Sequence, residues 1–171
     1  MRDSTDPSGG GHERRELTHQ DERGRARMVD VSAKPETARS ARARGVVRLT
    51  PEIRDRLLSG DLPKGEAIGV ARLAGILAAK DTARLIPLCH PLPLSAVEID
   101  IRPLGEDAVE VVAECRCRAA TGVEMEALTA VSIAALTIYD MCKALHKGLV
   151  IGPIELLHKA GGSSGEWRRG G

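Results

Sequence analysis

Four charged side chains interrupt a largely aliphatic stretch between Thr121 and Lys147: Glu124, Glu126, Asp140 and Lys143. Carboxylates with an amine beside one of them are the equipment of acid/base chemistry, in which one group takes a proton and another returns it. Asp140 and Lys143 stand at i and i+3 on a helix and can meet within one chain. Glu126 and Asp140 cannot, because at 1.5 Å of rise per residue their spacing puts them about 21 Å apart. That is more than one small substrate comfortably bridges, so two carboxylates serving one reaction would come from two copies of the chain. The plainer alternative is that all four are solvated charges or an ordinary intrahelical pair.

The stretch that carries them, TGVEMEALTAVSIAALTIYDMCKALHK, predicts a single helix over 121–147. Gly122 breaks the chain just before it, and Gly148 ends it after Lys143, His146 and Lys147, cations that suit the C-terminal end of a helix dipole. Val123, Leu128, Val131, Ile133, Leu136, Ile138 and Met141 leave so few polar positions that most of its circumference must be covered, by a sheet or by another subunit.

Other candidates lie outside this helix. Lys64 sits between Pro63 and Gly65, where the backbone is held and the amine is free to project. Lys34, Arg39, Arg42 and Arg44 form a basic cluster that is either a solvated face or an arm for phosphate. Lys80 and Arg84 follow the end of a predicted second helix. Three prolines bar regular structure in Leu85–Leu94, so His90 there is a structural donor or a site residue. Cys89 and His90 are adjacent and lack a second pair at zinc spacing, so no metal site is expected. The ending Lys159-Ala160-Gly161-Gly162-Ser163-Ser164-Gly165 offers backbone amides and a cation to an anion, although flexible termini share this composition.

Composition bounds the rest. The chain has 171 residues, 42% of them hydrophobic, which supports one domain with a core. Tyr139 and Trp167 are its only aromatic residues, which argues against a stacking platform for nucleic acid, and a net charge of +1 supplies no global field for a polyanion. The four cysteines form no CxxC pair and no disulfide framework, as expected of a reducing cytoplasm. No leader-like run and no charge-free apolar stretch long enough to span are seen, so neither export nor a membrane is expected.

Residues 1–27, rich in charge and glycine, are expected to form a disordered tail. Residues 28–160 are expected to form one α+β domain, and 161–171 a flexible Gly/Ser-rich tail. Strands are predicted at 28–32 and 46–49. Helices are predicted from Pro51, capped by Thr50, to near Gly60 and over 67–80. Val97–Arg102 and Val109–Arg118 alternate with period two around a Gly105-Glu106-Asp107 turn, which predicts an antiparallel pair with Cys115 and Cys117 facing the core. Residues 149–157 are read as a short pair or one strand broken at Gly152-Pro153.

Taken together, MVDVSAKPETAR (28–39), ARLAGILAAK (71–80), LIPLCHPL (85–92), TGVEMEALTA (121–130), LTIYDMCKA (136–144) and KAGGSSG (159–165) resemble the MoaC family of molybdenum cofactor biosynthesis. These are the cyclic pyranopterin monophosphate synthases. The resemblance implies a ferredoxin-like fold, an antiparallel sheet with helices on one face, and a homohexamer built as a trimer of dimers with active sites between subunits. It implies conversion of a cyclic dihydroguanosine triphosphate to cyclic pyranopterin monophosphate and pyrophosphate, with no redox cofactor and Mg²⁺ at most accompanying the triphosphate. It casts Asp140 as acid/base, Lys64 as a second proton-transfer or stabilising group, and Lys143 as their companion. Leu88, Cys89, His90, Glu124, Met125 and Glu126 become pocket walls, and Lys34, Arg39, Lys80 and Lys159 a phosphate clamp. The chain departs from the family at Ser163, where a further lysine is common. The rival readings are a homologue that binds nucleotide without turnover and a nucleic-acid or scaffold protein using the basic 34–44 segment.

Overall fold

The computed structural model describes residues 23–170; most of the 1–27 segment lies outside them. Its elements run β1 (Thr37–Arg48), α1 (Pro51–Ser59), α2 (Ala67–Lys80), α3 (Thr82–Leu85), β2 (Leu94–Leu104), β3 (Ala108–Ala119), α4 (Glu124–Cys142), β4 (Val150–Ala160) and β5 (Trp167–Arg168). The sheet order is β2-β3-β1-β4-β5 with every neighbour antiparallel. Setting β5 aside, this is the β-α-β-β-α-β arrangement of a ferredoxin-like fold.

Local rules account for most boundaries. Thr50 Oγ1 accepts from the Ile53 amide at 3.3 Å with Pro51 in the first turn, and Gly60 closes α1 at φ 79°. The β2–β3 hairpin turns at Gly105, φ 63°. Alternation then sends Ala41, Ala43 and Val47 of β1 and Val109, Val111, Ala113, Cys115 and Cys117 of β3 into the core beneath α4. Small residues let the helices sit close. A methyl on Gly75 of α2 would meet the Ile99 side chain and, at 2.8 Å, the Ala130 carbonyl of α4.

Four expectations need correction. Residues 28–32 form a turn, not a strand, because the Asp30 carboxylate accepts from the Ser32 amide and hydroxyl and the Lys34 amide donates to Val31. The strand expected at 46–49 begins at Thr37, so Arg39, Arg42 and Arg44 belong to β1 rather than to an arm. The long helix covers 124–142 instead of 121–147, with the Lys143 amide bonded to the Tyr139 carbonyl and Leu145 turning back onto Cys142. For residues 149–157 the reading of one broken strand holds: β4 starts at Val150 and pairs with β1 through two register shifts, one of them opposite the cis Gly152–Pro153 bond. The segment expected as a Gly/Ser tail returns to the sheet, where β5 pairs Trp167 with Lys159.

The two sheet faces differ. One carries the helices. The other carries an ion-pair ladder in which Glu110, 6% exposed, is held by Arg102 at 2.6 Å and Arg44 at 3.3 Å, and Arg44 also reaches Glu155 at 2.6 Å. By length and composition alone α4 could cross a membrane, yet half of that window is buried as the core helix.

Candidate functional site

Two groups of side chains mark the two ends of α4. At its N-terminal end a cavity of about 430 Å³ is lined by Leu88, Cys89 and His90 on one side and by Glu124, Met125 and Glu126 on the other, with Lys34 at its edge. The proline-rich segment before β2 supplies the first wall because it can neither coil nor pair as a regular strand. His90 Nε2 lies 2.8 Å from the Val29 carbonyl, so the histidine is at once a structural partner and a wall residue. That bond also ties the 28–32 turn across the cavity, where Val29 and Val31 complete the lining.

Glu126 is the unusual group here. It is 3% exposed, and its Oε2 has no hydrogen-bond partner. Burial, helped by the nearby Glu124 charge, pushes its carboxyl up to about 7. Burial, reinforced by the Glu126 charge, also raises the Cys89 thiol. A carboxyl kept partly protonated at neutral pH can donate a proton or a hydrogen bond, and its unpartnered oxygen can accept one.

A second cavity, about 250 Å³, adjoins the first and shares Lys34, Thr121, Gly122 and Glu124 with it. Arg39, Ser40, Lys159, Ser163 and Ser164 complete its polar lining. The Arg39 guanidinium donates to the Ala119 and Ala120 carbonyls, which orient it without neutralising it. Lys159 Nζ lies 3.1 Å from Glu124 Oε1 and 3.3 Å from Ser164 Oγ. The glycine-rich loop is pressed against β1: a methyl on Gly161 would collide with the Ala38 carbonyl, and Gly161 holds φ 104°. β5 anchors the far end of that loop, with His158 Nε2 2.8 Å from Glu166 Oε1. This is the arrangement of an anion cleft, with cations, hydroxyls and close backbone approach.

At the opposite end of α4, Asp140 receives one lysine on each oxygen. Lys64 Nζ lies 2.7 Å from Oδ2 and Lys143 Nζ 2.7 Å from Oδ1, while Lys64 also donates to the Asp140 carbonyl at 2.9 Å. The Lys143 bond first, then that of Lys64, holds the Asp140 carboxyl down at about 2, and the same contact raises Lys143. All three side chains are about half exposed, and none lines either of the two cavities above.

Of the sequence candidates, the structure therefore brings together Lys34, Arg39, Leu88, Cys89, His90, Glu124, Met125, Glu126 and Lys159 as one group, and Lys64, Asp140 and Lys143 as another. Lys80 joins neither lining. It ends α2, which runs antiparallel to α4, and so stands at the Glu126 end of the helix pair. Sequence reasoning missed Val29, Val31, Leu92, Thr121, Gly122 and Ser164 as lining residues, although all of them fall inside the motifs quoted above. Among the described residues no cluster of three His, Cys, Asp or Glu side chains could hold a metal ion.

An α+β chain with a buried acid in an apolar-walled pocket that adjoins a cationic cleft has the two-part site of a small-molecule binding protein. Residues 28–162 match the MoaC family, and the chain belongs to that family. Proteins named cyclic pyranopterin monophosphate synthase from Thermomicrobium roseum and Pelotomaculum thermopropionicum are 59% and 56% identical to it. They align over 90% and 91% of this chain and 93% and 92% of their own lengths. One of the same name from Roseiflexus sp. is 57% identical over 89% of this chain and 97% of its own.

Proposed function

We propose that this chain performs the reaction after which these relatives are named, as a pyrophosphate-releasing lyase of molybdenum cofactor biosynthesis. It converts 3',8-cyclo-7,8-dihydroguanosine 5'-triphosphate to cyclic pyranopterin monophosphate and diphosphate. In the last step a sugar hydroxyl bonds to the innermost phosphorus, the bond from that phosphorus to the bridging oxygen breaks, and diphosphate leaves as the hydroxyl proton passes to a base. The observation that carries this reading is the continuity of the Glu126 pocket with the Arg39/Lys159 cleft, which suits a purine-derived head and a triphosphate in one ligand. Lys34, Arg39, Lys80 and Lys159 steady the triphosphate, and Mg²⁺ enters, if at all, with that substrate. Glu126 and Glu124 face the guanidine-like edge. Asp140, ionised between its lysines, is the proton acceptor, and Lys64 stabilises charge as it develops.

Asp140 and Glu126 lie on one helix about 21 Å apart, so a second copy must complete each pocket. Val70, Leu73 and Leu77 of α2 and Leu136 of α4 form an exposed apolar patch on the outer side of the helices. A two-fold axis through that patch would set the helices of two copies antiparallel and lay each Asp140 end over the partner's Glu126 end. Assembly of such dimers into a cytoplasmic hexamer completes the proposal. The test is incubation with the cyclic triphosphate, following diphosphate and the pyranopterin product. Wild-type turnover supports the reading. A bound substrate returned unchanged would favour a homologue that only binds nucleotide, and stoichiometric zinc in the purified protein would overturn the wall role of His90.

A further inference from the structure

Glu124 is the acidic side chain that lines both cavities of the site. Its carboxylate folds back over Gly122, where a methyl group would collide with it, and so stands on the boundary between them. There it meets Lys159, whose Nζ lies 3.1 Å from Oε1, with the two side chains only 26% and 30% exposed. At that burial the pair is screened less than one on the open surface. The β1–β4 register explains the encounter. Lys159 pairs with Ala41, a core residue beneath α4, so its side chain rises on the helix-covered face of the sheet, the face that Arg39 shares two residues away on β1. Among the described residues neither Glu124 nor Lys159 has another ion-pair partner. The Glu124 charge also reaches into the first cavity, where it adds to the burial that raises the Glu126 carboxyl.

The pair sets the two cavities against each other. An anion entering the cleft for Lys159 meets the Glu124 carboxylate beside it as a like charge. A hydrogen-bond donor entering the pocket for Glu124 finds that carboxylate already held by the lysine. We propose that the Glu124–Lys159 ion pair is a selectivity switch that admits a ligand carrying both a polyphosphate and a donor-rich, guanidine-like head. Phosphate in the cleft takes over Lys159, and the released carboxylate turns into the pocket to accept from the head. A ligand with both parts exchanges one ion pair for two sets of polar contacts, whereas either part alone leaves Lys159 or Glu124 without its partner. Each half of the site thereby raises the affinity of the other. This coupling rests on the proposed function for which part of the ligand enters which cavity.

Binding of guanosine and of tripolyphosphate to the full-length assembled protein, each alone and with the other saturating, tests this. In the wild type, tripolyphosphate should tighten guanosine about fivefold, and guanosine should tighten tripolyphosphate by the same factor, as linkage requires. Glu124→Gln should abolish that factor and, with the competing carboxylate gone, bind tripolyphosphate alone about fivefold more tightly than the wild type. Lys159→Met should also abolish it, with the opposite sign for the separate probes: guanosine alone tightens and tripolyphosphate weakens. Independent binding of the two probes in the wild type overturns the proposal. So does guanosine that fails to bind beside tripolyphosphate, or a Glu124→Gln protein whose tripolyphosphate affinity is unchanged or lower. Failure of the cleft reading looks different. Tripolyphosphate that binds Lys159→Met and Arg39→Ala as it binds the wild type removes both cleft and switch, whereas affinity lost in those variants without coupling in the wild type removes the switch and keeps the cleft.

Discussion

Glu126 and Asp140 occupy the same helix, face a similar direction and carry the same functional group, yet their surroundings shift their acidities in opposite directions. Glu126 lies in an apolar wall with an unpartnered oxygen and titrates at about 7, because burial disfavours its charge. Asp140 lies in the open between two amines and titrates at about 2, because both hydrogen-bond its charged form. One helix thus offers a group that can hold a proton at neutral pH and a group that can only accept one. The difference teaches that environment alone decides the charge: an apolar wall lets a carboxyl keep a proton near neutral pH, and two amines in the open hold another carboxyl ionised.

Removing the open-end carboxylate should give the largest effect. Asp140→Ala should lower turnover by about 10²–10⁴-fold, the range for a positioned acid/base group, with substrate affinity and oligomer size retained. Unchanged turnover would end the assignment. Mixing and reassembling Asp140→Ala with Glu126→Ala should sharpen the comparison, since a mixed dimer holds one pocket with both carboxylates. Such mixtures should recover up to about a quarter of wild-type activity under two-fold symmetry. No recovery would mean that the two ends serve separate purposes.

The covering surface comes next. Leu73 and Leu77 are 58% and 53% exposed, so replacing both with Glu should leave the fold intact by circular dichroism. Sedimentation should show dissociation, and turnover should fall with it. A fully active monomer would break the shared-site reading.

The pocket end makes its own prediction through stability. Glu126 has a folded pKa of about 7 against 4.5 for the free side chain, so the folded state holds a proton that the unfolded state releases. Stability should therefore be full below about pH 4.5 and decline as pH rises toward 7, by on the order of 3 kcal/mol. Glu126→Gln should flatten that decline in denaturant titrations from pH 4.5 to 8. An equally steep decline in the variant would place the effect elsewhere.

How far these two ends could be read beforehand follows from what each depends on. Helix rise alone separated Glu126 from Asp140, and the i,i+3 spacing alone joined Asp140 to Lys143. The strand pair at 97–118 was legible because Val and Ile alternate there with charge. Of β1 only the end at Val46-Val47 was, since the inward residues Ala41 and Ala43 of the rest are small and their neighbours are arginines, a pattern without the β-branched residues that announce a strand. The junction of Lys64 with Asp140 was invisible to spacing, because it depends on the α2 loop packing against the end of α4. The polarity of the Glu126 environment was also hidden, since burial belongs to the assembled walls and not to the helix.

The smallest expected effect separates the two lysines at the open end. Asp140 keeps its depressed pKa through Lys143 first and Lys64 second, so Lys143→Ala should move the carboxyl further back toward its usual 3.8 than Lys64→Ala does. The sign is fixed by the depression: pairing supports the folded state above pH 3.8, and that support is lost as pH falls through 2. Because the site is exposed, salt should weaken it and global stability near neutral pH should barely change. Carbon-detected NMR titration of the Asp140 carboxyl in the two variants reads the effect directly. Equal shifts would mean that the carboxylate is clamped symmetrically, and Lys64, the one amine brought in from outside α4, would then matter as much to its charge as to its position.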